Sequence, residues 1–244
     1  MNSRKTLGTP ILMYHKVGAP VASPNDRFLN VSQRNFARQM QAISRLGYRA
    51  ITFSKLAHAL ESSSPLPRRS FTVTFDDGYQ CVADFAAPVL AKCGWPATIF
   101  VVSGYAGKSN AWDEEAGLPV LPLMDWPQLL HLQSEGWEIS GHTMSHPKLD
   151  LLDEGEARRE LQESKQQIEE KIGQAITTFC YPYGRLSRRT PELVRDAGYR
   201  AACTTRSGIA NIQQDRWLLP RVKVASRDGV AGLLYRLYIR PLLP

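Results

Sequence analysis

The chain has 244 residues, of which 43% are hydrophobic and 22% are charged. This length and composition can bury a sizeable core, which excludes wholesale disorder, and no apolar run approaches the roughly 20 residues of a membrane-spanning helix. The net charge is +7, and the last quarter, residues 185–244, carries 12 Lys/Arg against 4 Asp/Glu. We expect one domain over residues 1–244, with either an anionic partner or a solubilising charged face in that quarter.

Short strand-like runs alternate with helical patterns along the chain. Strands are predicted at Ile11–Tyr14, Ala50–Phe53, Phe71–Phe75, Ala97–Val102, Trp137–Ser140, Thr177–Tyr181, Arg200–Thr204 and Val222–Val224. Helices are predicted from the cap Ser32 to Gly47, over Val82–Cys93 and Gln128–Glu135, from the cap Asp153 to Gly173, and from Thr190 to Ala197. Seven or eight strands alternating with helices predict an α/β fold with a parallel sheet, either doubly wound or closed into a barrel.

The amino-terminal segment is charged and has no apolar core of a secretory signal, which predicts a cytoplasmic protein. The cysteines fit that compartment because they form no Cys-x-x-Cys pair, and we expect reduced thiols at Cys81, Cys93, Cys180 and Cys203. The last segment, residues 229–244, is apolar with arginines at positions 236 and 240. It predicts either a helix on an anionic membrane surface or a final helix packed on the protein.

The strongest chemical signal is Thr74-Phe-Asp-Asp-Gly78, where an apolar strand meets a glycine turn. The carboxyl ends of strands carry the site in α/β folds. Of two adjacent carboxylates there, one can bind a metal ion while the other accepts a proton. The alternative is a turn in which Asp76 and Asp77 serve backbone geometry alone.

A second signal, Ser140-Gly-His-Thr-Met-Ser-His146, also follows a strand. On a helical turn, His142 and His146 would face the same way and could share one metal ion. Two imidazoles and one carboxylate form a set typical of catalytic zinc sites. The alternative is two ordinary polar histidines.

Two further strand ends carry polar or aromatic residues. The run Phe179-Cys-Tyr-Pro-Tyr-Gly184 predicts a stiff turn whose backbone N–H groups point into the site, or else a plain loop. Leu12-Met-Tyr-His15 would place His15 at the same end of the sheet. The long connection over residues 103–127 predicts a substrate-binding loop, although Trp112 within it is interpreted as a packing residue.

In this order, Thr-Phe-Asp-Asp-Gly, His-Thr-x-x-x-His and Tyr-Pro-Tyr-Gly resemble the motifs of the polysaccharide deacetylases of carbohydrate esterase family 4, over roughly residues 8–225. The resemblance implies a distorted (β/α) barrel and hydrolysis of the N-acetyl amide of an amino sugar with one divalent metal ion, zinc first, with cobalt, nickel or iron as alternatives. It also implies that Asp77, His142 and His146 hold the metal. Asp76 would be the general base, and the backbone around Tyr183 would stabilise the oxyanion.

The sequence departs from the family pattern in two places. Cys180 stands where the family has an arginine that orients the base, and no histidine follows His146 to act as the late acid. One branch, resembling poly-N-acetylglucosamine deacetylases, has the acid histidine near the amino terminus, which implies His15 as the general acid. Arg221, in Leu219-Pro-Arg221, is our candidate for the missing arginine.

The substrate is predicted from charge and the tail alone. They favour a polyprenyl-phosphate-linked N-acetylhexosamine at the inner face of the plasma membrane, as in lipid A or surface-glycan modification, over a polysaccharide. The membrane contact would use the basic carboxyl-terminal region. Alternatives are a metal-dependent C–N hydrolase of another amide or formamide, and a degenerate carbohydrate-binding protein. Nucleic-acid binding is not expected because no basic run carries interleaved aromatic residues.

Overall fold

The computed structural model describes residues 8–21, 28–114 and 116–239. Its strands are β1 (Ile11–Tyr14), β2 (Lys16–Val17), β3 (Asn30–Val31), β4 (Arg49–Ala50), β5 (Ser70–Phe75), β6 (Thr98–Val101), β7 (Glu138–Gly141), β8 (Thr178–Cys180), β9 (Ala201–Ser207) and β10 (Leu219–Lys223). Its α-helices are α1 (Gln33–Arg45), α2 (Phe53–Ser62), α3 (Ala87–Ala91), α4 (Trp126–Ser134), α5 (Glu154–Ile172), α6 (Thr190–Asp196) and α7 (Val230–Tyr238).

Seven parallel strands close into a barrel in the order β1-β5-β6-β7-β8-β9-β10. Closure depends on β1, which pairs with β5 on one side (Leu12 opposite Val73) and with β10 on the other (Leu12 opposite Val222). The short strand β4 pairs with the first two residues of β5, Ser70 and Phe71. The predicted (β/α) barrel is therefore confirmed, and all seven strands end at the same mouth.

The predicted strand at residues 50–53 is wrong beyond its first residue. Pairing ends at Ala50, and a helix that the sequence analysis does not predict, α2, begins at Phe53. The cause is Thr52, which caps the helix. Its backbone is extended, and its hydroxyl accepts a hydrogen bond from the backbone N–H of Lys55 at 3.3 Å.

Helix α2 closes the amino-terminal end of the barrel. Its Phe53 packs on Phe100 inside the barrel, with ring centroids 5.7 Å apart. Beneath it lies the buried carboxylate of Glu138, the first residue of β7. Glu138 accepts the backbone N–H of Ser54 at 2.8 Å and the hydroxyls of Thr98 and Thr178 at 2.9 and 2.5 Å. This carboxylate therefore fastens α2 to three strands.

The carboxyl-terminal helix packs on the protein. Leu233 and Leu237 of α7 are buried, and α7 contacts α1. These two leucines therefore follow the predicted alternative of a final helix packed on the protein, and residues 240–244 lie outside the described residues. None of the helices formed by the described residues is both long and apolar enough to cross a membrane.

The arginines of the last quarter are mostly neutralised within the fold. Arg185 pairs with Asp150 at 2.7 Å and Arg236 with Asp228 at 2.8 Å. Arg200 and Arg216 both reach Glu61. Among the described residues of that quarter, these four arginines are therefore already paired with carboxylates of the protein.

We expect Glu138→Ala to lower the free energy of unfolding by about 2 kcal/mol, because the buried hydroxyls of Thr98 and Thr178 and the part-buried N–H of Ser54 lose their acceptor. Chemical denaturation would measure the change. Glu163→Ala, an exposed glutamate of α5, is the matched control and should change stability little.

The stability that Glu138→Ala loses should also depend on pH. Burial raises the pKa of Glu138 above its ordinary value, although the hydrogen bonds from Thr178 and Ser54 oppose this. The folded protein then holds this proton more tightly than the unfolded chain, so the carboxyl group adds most stability below its unfolded pKa of about 4.3. That contribution is lost as the pH rises through the folded pKa. The difference from Glu138→Ala should therefore grow as the pH falls, and a difference that shrinks would contradict this account.

Candidate active site

The two carboxylates at the end of β5 point to different partners. Asp77 adopts a left-handed backbone with φ 73°, and Gly78 follows with φ 84°. The chain therefore turns sharply after Asp76, whose backbone N–H donates to the carbonyl of Tyr14 at 3.0 Å. Both carboxylates are buried, at 2% and 5% exposure. This turn sends Asp76 toward β10 and Asp77 toward the histidines.

Asp77 lies between the two predicted histidines. The Nε2 atoms of His142 and His146 are each 3.3 Å from Asp77 Oδ1. Burial raises the pKa of Asp77, but its hydrogen bonds to the two imidazoles outweigh burial and hold that pKa well below its ordinary value. Asp77 is therefore an anion at neutral pH, as a metal ligand must be.

The histidines meet through an irregular loop, so the predicted helical turn is wrong. Thr143 and His146 both have left-handed backbones, with φ 67° and 63°. The carboxylate of Glu160 on α5 accepts the backbone N–H groups of Met144 and Ser145 at 2.8 and 3.0 Å, which holds the loop in place. No short sequence pattern links Glu160 to this loop, and the sequence analysis does not include it.

A hydrogen bond at Nδ1, the ring nitrogen that faces away from Asp77, fixes the orientation of the His142 ring. Its Nδ1 lies 2.7 Å from the carbonyl oxygen of Cys180, so Nδ1 carries a proton and donates it to that oxygen. Burial lowers the pKa of His142, but Cys180 and the hydrogen bond to Asp77 outweigh burial and raise that pKa well above its ordinary value, so Nε2 donates to Asp77 and a metal ion bound there would replace that proton. For His146, burial lowers the pKa and keeps the imidazole neutral. Two neutral imidazoles and one carboxylate are the donors of several catalytic zinc sites. The donor atoms lie within 4.8 Å of one another, so these residues fit a divalent cation.

Arg221 occupies the position that the sequence analysis assigns to it. This fully buried arginine of β10 makes two parallel hydrogen bonds to Asp76, at 2.7 Å to each carboxylate oxygen. Its Nε donates to the carbonyl of Thr204 at 2.9 Å, and its Nη2 lies 3.1 Å from the sulfur of Cys180. Burial raises the pKa of Asp76, but the Arg221 guanidinium outweighs burial and lowers it. Asp76 is therefore ionised and held in one orientation.

Cys180 takes the place of the family's arginine without a charge of its own. Burial raises the pKa of this thiol well above its ordinary value, so it is protonated at neutral pH. All four cysteines are free, as predicted. The small side chain at position 180 leaves the space through which Arg221 reaches Asp76 from another strand.

His15 lies at the mouth, directly after β1. Its Nε2 is 3.6 Å from Asp76 Oδ2, and its side chain keeps 15% of its surface exposed. The structure therefore brings together all seven predicted residues: five from motifs on β5, β7 and β8, with His15 and Arg221 from β1 and β10.

Two aromatic rings flank His146. The ring of Tyr183 is 4.5 Å and that of Trp112 is 4.6 Å from the imidazole, centroid to centroid. Trp112 also packs on Tyr105 and the core, as the sequence analysis expects, and its contact with His146 places that packing beside the metal-binding candidates. The length of the connection over residues 103–127 was the available signal. Burial raises the pKa of the Tyr183 phenol to about 12, so the ring is uncharged at neutral pH.

Known proteins are similar to this chain in sequence and in fold. The family model described as polysaccharide deacetylase matches residues 63–202. The Bacillus subtilis protein YxkH, named as a polysaccharide deacetylase, is 28% identical over 242 residues, which cover 99% of this chain and 80% of that protein. The poly-beta-1,6-N-acetyl-D-glucosamine N-deacetylase of Staphylococcus aureus (strain MSSA476) is 23% identical over 216 residues, or 85% of this chain and 71% of that protein.

A solved structure, the Streptococcus pyogenes deacetylase PplD in complex with acetate, superposes with a TM-score of 0.81 and 25% identity over 94% of this chain and 98% of that one. The fold and site thus define an enzyme of the carbohydrate N-deacetylase class. The chain belongs to the polysaccharide deacetylase family. Its family match contains the Asp76, Asp77 and histidine positions but neither His15 nor Arg221, which lie outside residues 63–202.

The donor set predicts about one divalent ion per chain in the purified protein, measured by elemental analysis. His142→Ala should lose most of it, because two donors are too few for tight binding. His131→Ala is the matched control, because its side chain is 70% exposed and is not one of the clustered donors. Equal metal content in the two variants would show that the ion binds elsewhere.

Proposed function

We propose that the enzyme removes the N-acetyl group from N-acetylhexosamine residues of a glycan, with one divalent metal ion, zinc in the first instance, held by Asp77, His142 and His146. Asp76 is the general base and His15 the general acid. The observation that carries this proposal is the buried Asp76, which contacts both Arg221 and His15 beside the three metal-binding side chains.

An amide resists hydrolysis because its carbonyl is weakly electrophilic and its amine leaves poorly. When bound, the metal ion would act as a Lewis acid that polarises the carbonyl and acidifies a water molecule. The protein would bind this ion with donor side chains that other contacts already hold in position. The Cys180 carbonyl orients His142, and the Glu160 carboxylate holds the loop that carries His146.

Asp76 contributes position and charge more than basicity. A carboxylate whose pKa is lowered is a weak base, but it is fully ionised at neutral pH and ready to accept a proton. Its two hydrogen bonds to Arg221 leave it little freedom to rotate. Proton transfer from the attacking water to Asp76 therefore needs no reorganisation of the base.

His15 is placed to return a proton to the leaving amine. Its Nε2 lies 3.6 Å from Asp76 Oδ2, so both groups reach the same reacting centre. An imidazole can both hold and release a proton, which suits a general acid. The turn around Tyr183, with its left-handed backbone at φ 57°, would supply backbone stabilisation for the oxyanion.

A polymer of N-acetylglucosamine is the substrate we propose, because a relative that aligns with 85% of this chain is a poly-beta-1,6-N-acetyl-D-glucosamine N-deacetylase. Two reasons for preferring a lipid-linked sugar are weakened. The arginines of the last quarter are largely paired, and Leu233 and Leu237 pack inward. A lipid-linked N-acetylhexosamine becomes the second substrate to assay, and the cytoplasmic location stays a prediction.

The test is release of acetate from β-1,6-linked N-acetylglucosamine oligomers by the zinc-loaded protein. Asp76→Asn should retain metal and lower kcat by about 10² to 10⁴, the usual range for loss of a general base. Retained turnover in Asp76→Asn would remove Asp76 as the base. Wild-type protein that holds metal but releases acetate from neither oligomers nor lipid-linked sugar would favour the alternative of a C–N hydrolase acting on another amide.

His15→Ala should lower kcat by about 10²-fold while metal content stays at the wild-type level, because His15 does not touch the donor set. The pH profile adds a second readout, since the alkaline limb of kcat should disappear with the acid. His58→Ala, another histidine outside the site, is the control for general effects of losing an imidazole. An unchanged kcat in His15→Ala would assign the proton to another group.

A further inference from the structure

We propose that the outer wall of the barrel formed by α1 and α7 binds an anionic membrane surface. This wall is separate from the mouth where the active site lies, and the proposal does not depend on the substrate. It also differs from the prediction for the basic last quarter, because its charge comes from the first third of the chain.

The segment that contains α1 has a strong excess of basic residues. Residues 28–75 contain seven Lys/Arg and a single acidic residue, Glu61. Glu61 is already engaged by Arg200 and Arg216 from distant parts of the chain. No acidic side chain of this stretch is therefore left to neutralise its own arginines.

Helix α1 presents that charge as a stripe. Arg34, Arg38 and Arg45 are spaced four and seven residues apart, which puts them on one face of the helix, and all three are exposed. They form no ion pair with any residue in the described ranges. Arg69 extends the stripe at the carboxyl end of α1, where its guanidinium donates to the carbonyl of Leu46.

The end of α7 and the residue that follows it, Ile239, expose aromatic and apolar side chains. Tyr235, Tyr238 and Ile239 are 45%, 43% and 51% exposed. The Tyr238 hydroxyl lies 2.8 Å from that of Tyr48, three residues after the end of α1, and α7 contacts α1, so the two helices lie side by side. Arginines next to exposed tyrosine and isoleucine side chains are the composition of protein surfaces that lie in the headgroup region of a bilayer.

The alternatives fit this wall less well. A deacetylated amino-sugar polymer is a cation, so arginines would repel the product that the proposed function implies. The stripe lies on the outer, convex side of a barrel helix, which suits a planar surface better than the groove that a nucleic-acid strand would follow. A barrel docked by this wall leaves its mouth uncovered, because the helices run beside the strands and the site lies at the strand ends.

The experiment is co-sedimentation of the full chain with vesicles of phosphatidylglycerol and phosphatidylcholine, and with vesicles of phosphatidylcholine alone. We expect binding to the anionic vesicles only, weakened by added salt. The triple variant Arg34→Gln/Arg38→Gln/Arg45→Gln should bind about 100-fold more weakly, from about 1 kcal/mol per arginine at an anionic surface and 1.4 kcal/mol per tenfold change in affinity.

The matched control is Arg159→Gln/Arg188→Gln/Arg206→Gln, three exposed arginines outside the wall with no ion pair among the described residues. It has the same net charge as the first variant and should bind like wild type. Absence of wild-type binding, or equal losses in the two variants, would overturn the proposal. So would binding to soluble heparin without binding to vesicles. Acetate release from soluble oligomers, measured in parallel, separates failure of this proposal from failure of the proposed function.

Discussion

The buried ion pair between Arg221 and Asp76 is the constraint on which the rest of the site depends. Removing two charges from water costs several kcal/mol per ion, and only good geometry with further hydrogen bonds offsets that cost. Here the Arg221 guanidinium donates hydrogen bonds to both carboxylate oxygens of Asp76 and to the carbonyl oxygen of Thr204. These contacts join β10, β5 and β9 inside the barrel. Asp76, the proposed general base, is therefore positioned by the closed barrel as a whole, and not by its own loop.

The same pair explains why two adjacent carboxylates serve different purposes. Asp76 faces a permanent cation and becomes a fixed anion, whereas Asp77 faces two imidazoles that can exchange a proton for a metal ion. The left-handed backbone of Asp77 separates the two directions, and the glycine that follows continues the turn. Such a backbone in a residue other than glycine is strained, and strain of this kind clusters at functional sites. His146 and Tyr183 share it, and both lie at the mouth.

Much of this arrangement is predictable from the sequence because strand ends carry the chemistry. The motifs that contain Asp76, His142 and Tyr183 each follow an apolar run, and parallel strands bring their carboxyl ends together. The local conformations are not predictable in the same way. The loop that carries His146 has the spacing of a helical turn but is shaped by Glu160 from α5, and the cap at Thr52 starts a helix within an apparent strand. Both outcomes depend on a contact that hydrophobic periodicity does not record.

The distribution of charge on the surface is likewise not predictable from the sequence alone. In the sequence, the positive excess lies in residues 185–244, which suggests an anionic partner there. In the fold, Arg200 and Arg216 reach back to Glu61, and Arg221 reaches Asp76, so much of that charge is neutralised by acids from the first third of the chain. The arginines of α1, by contrast, form no ion pair with any of the residues that the structure describes. The surface that can attract an anion is therefore decided by which ion pairs form across the barrel, and it lies far along the chain from the segment with the largest net charge.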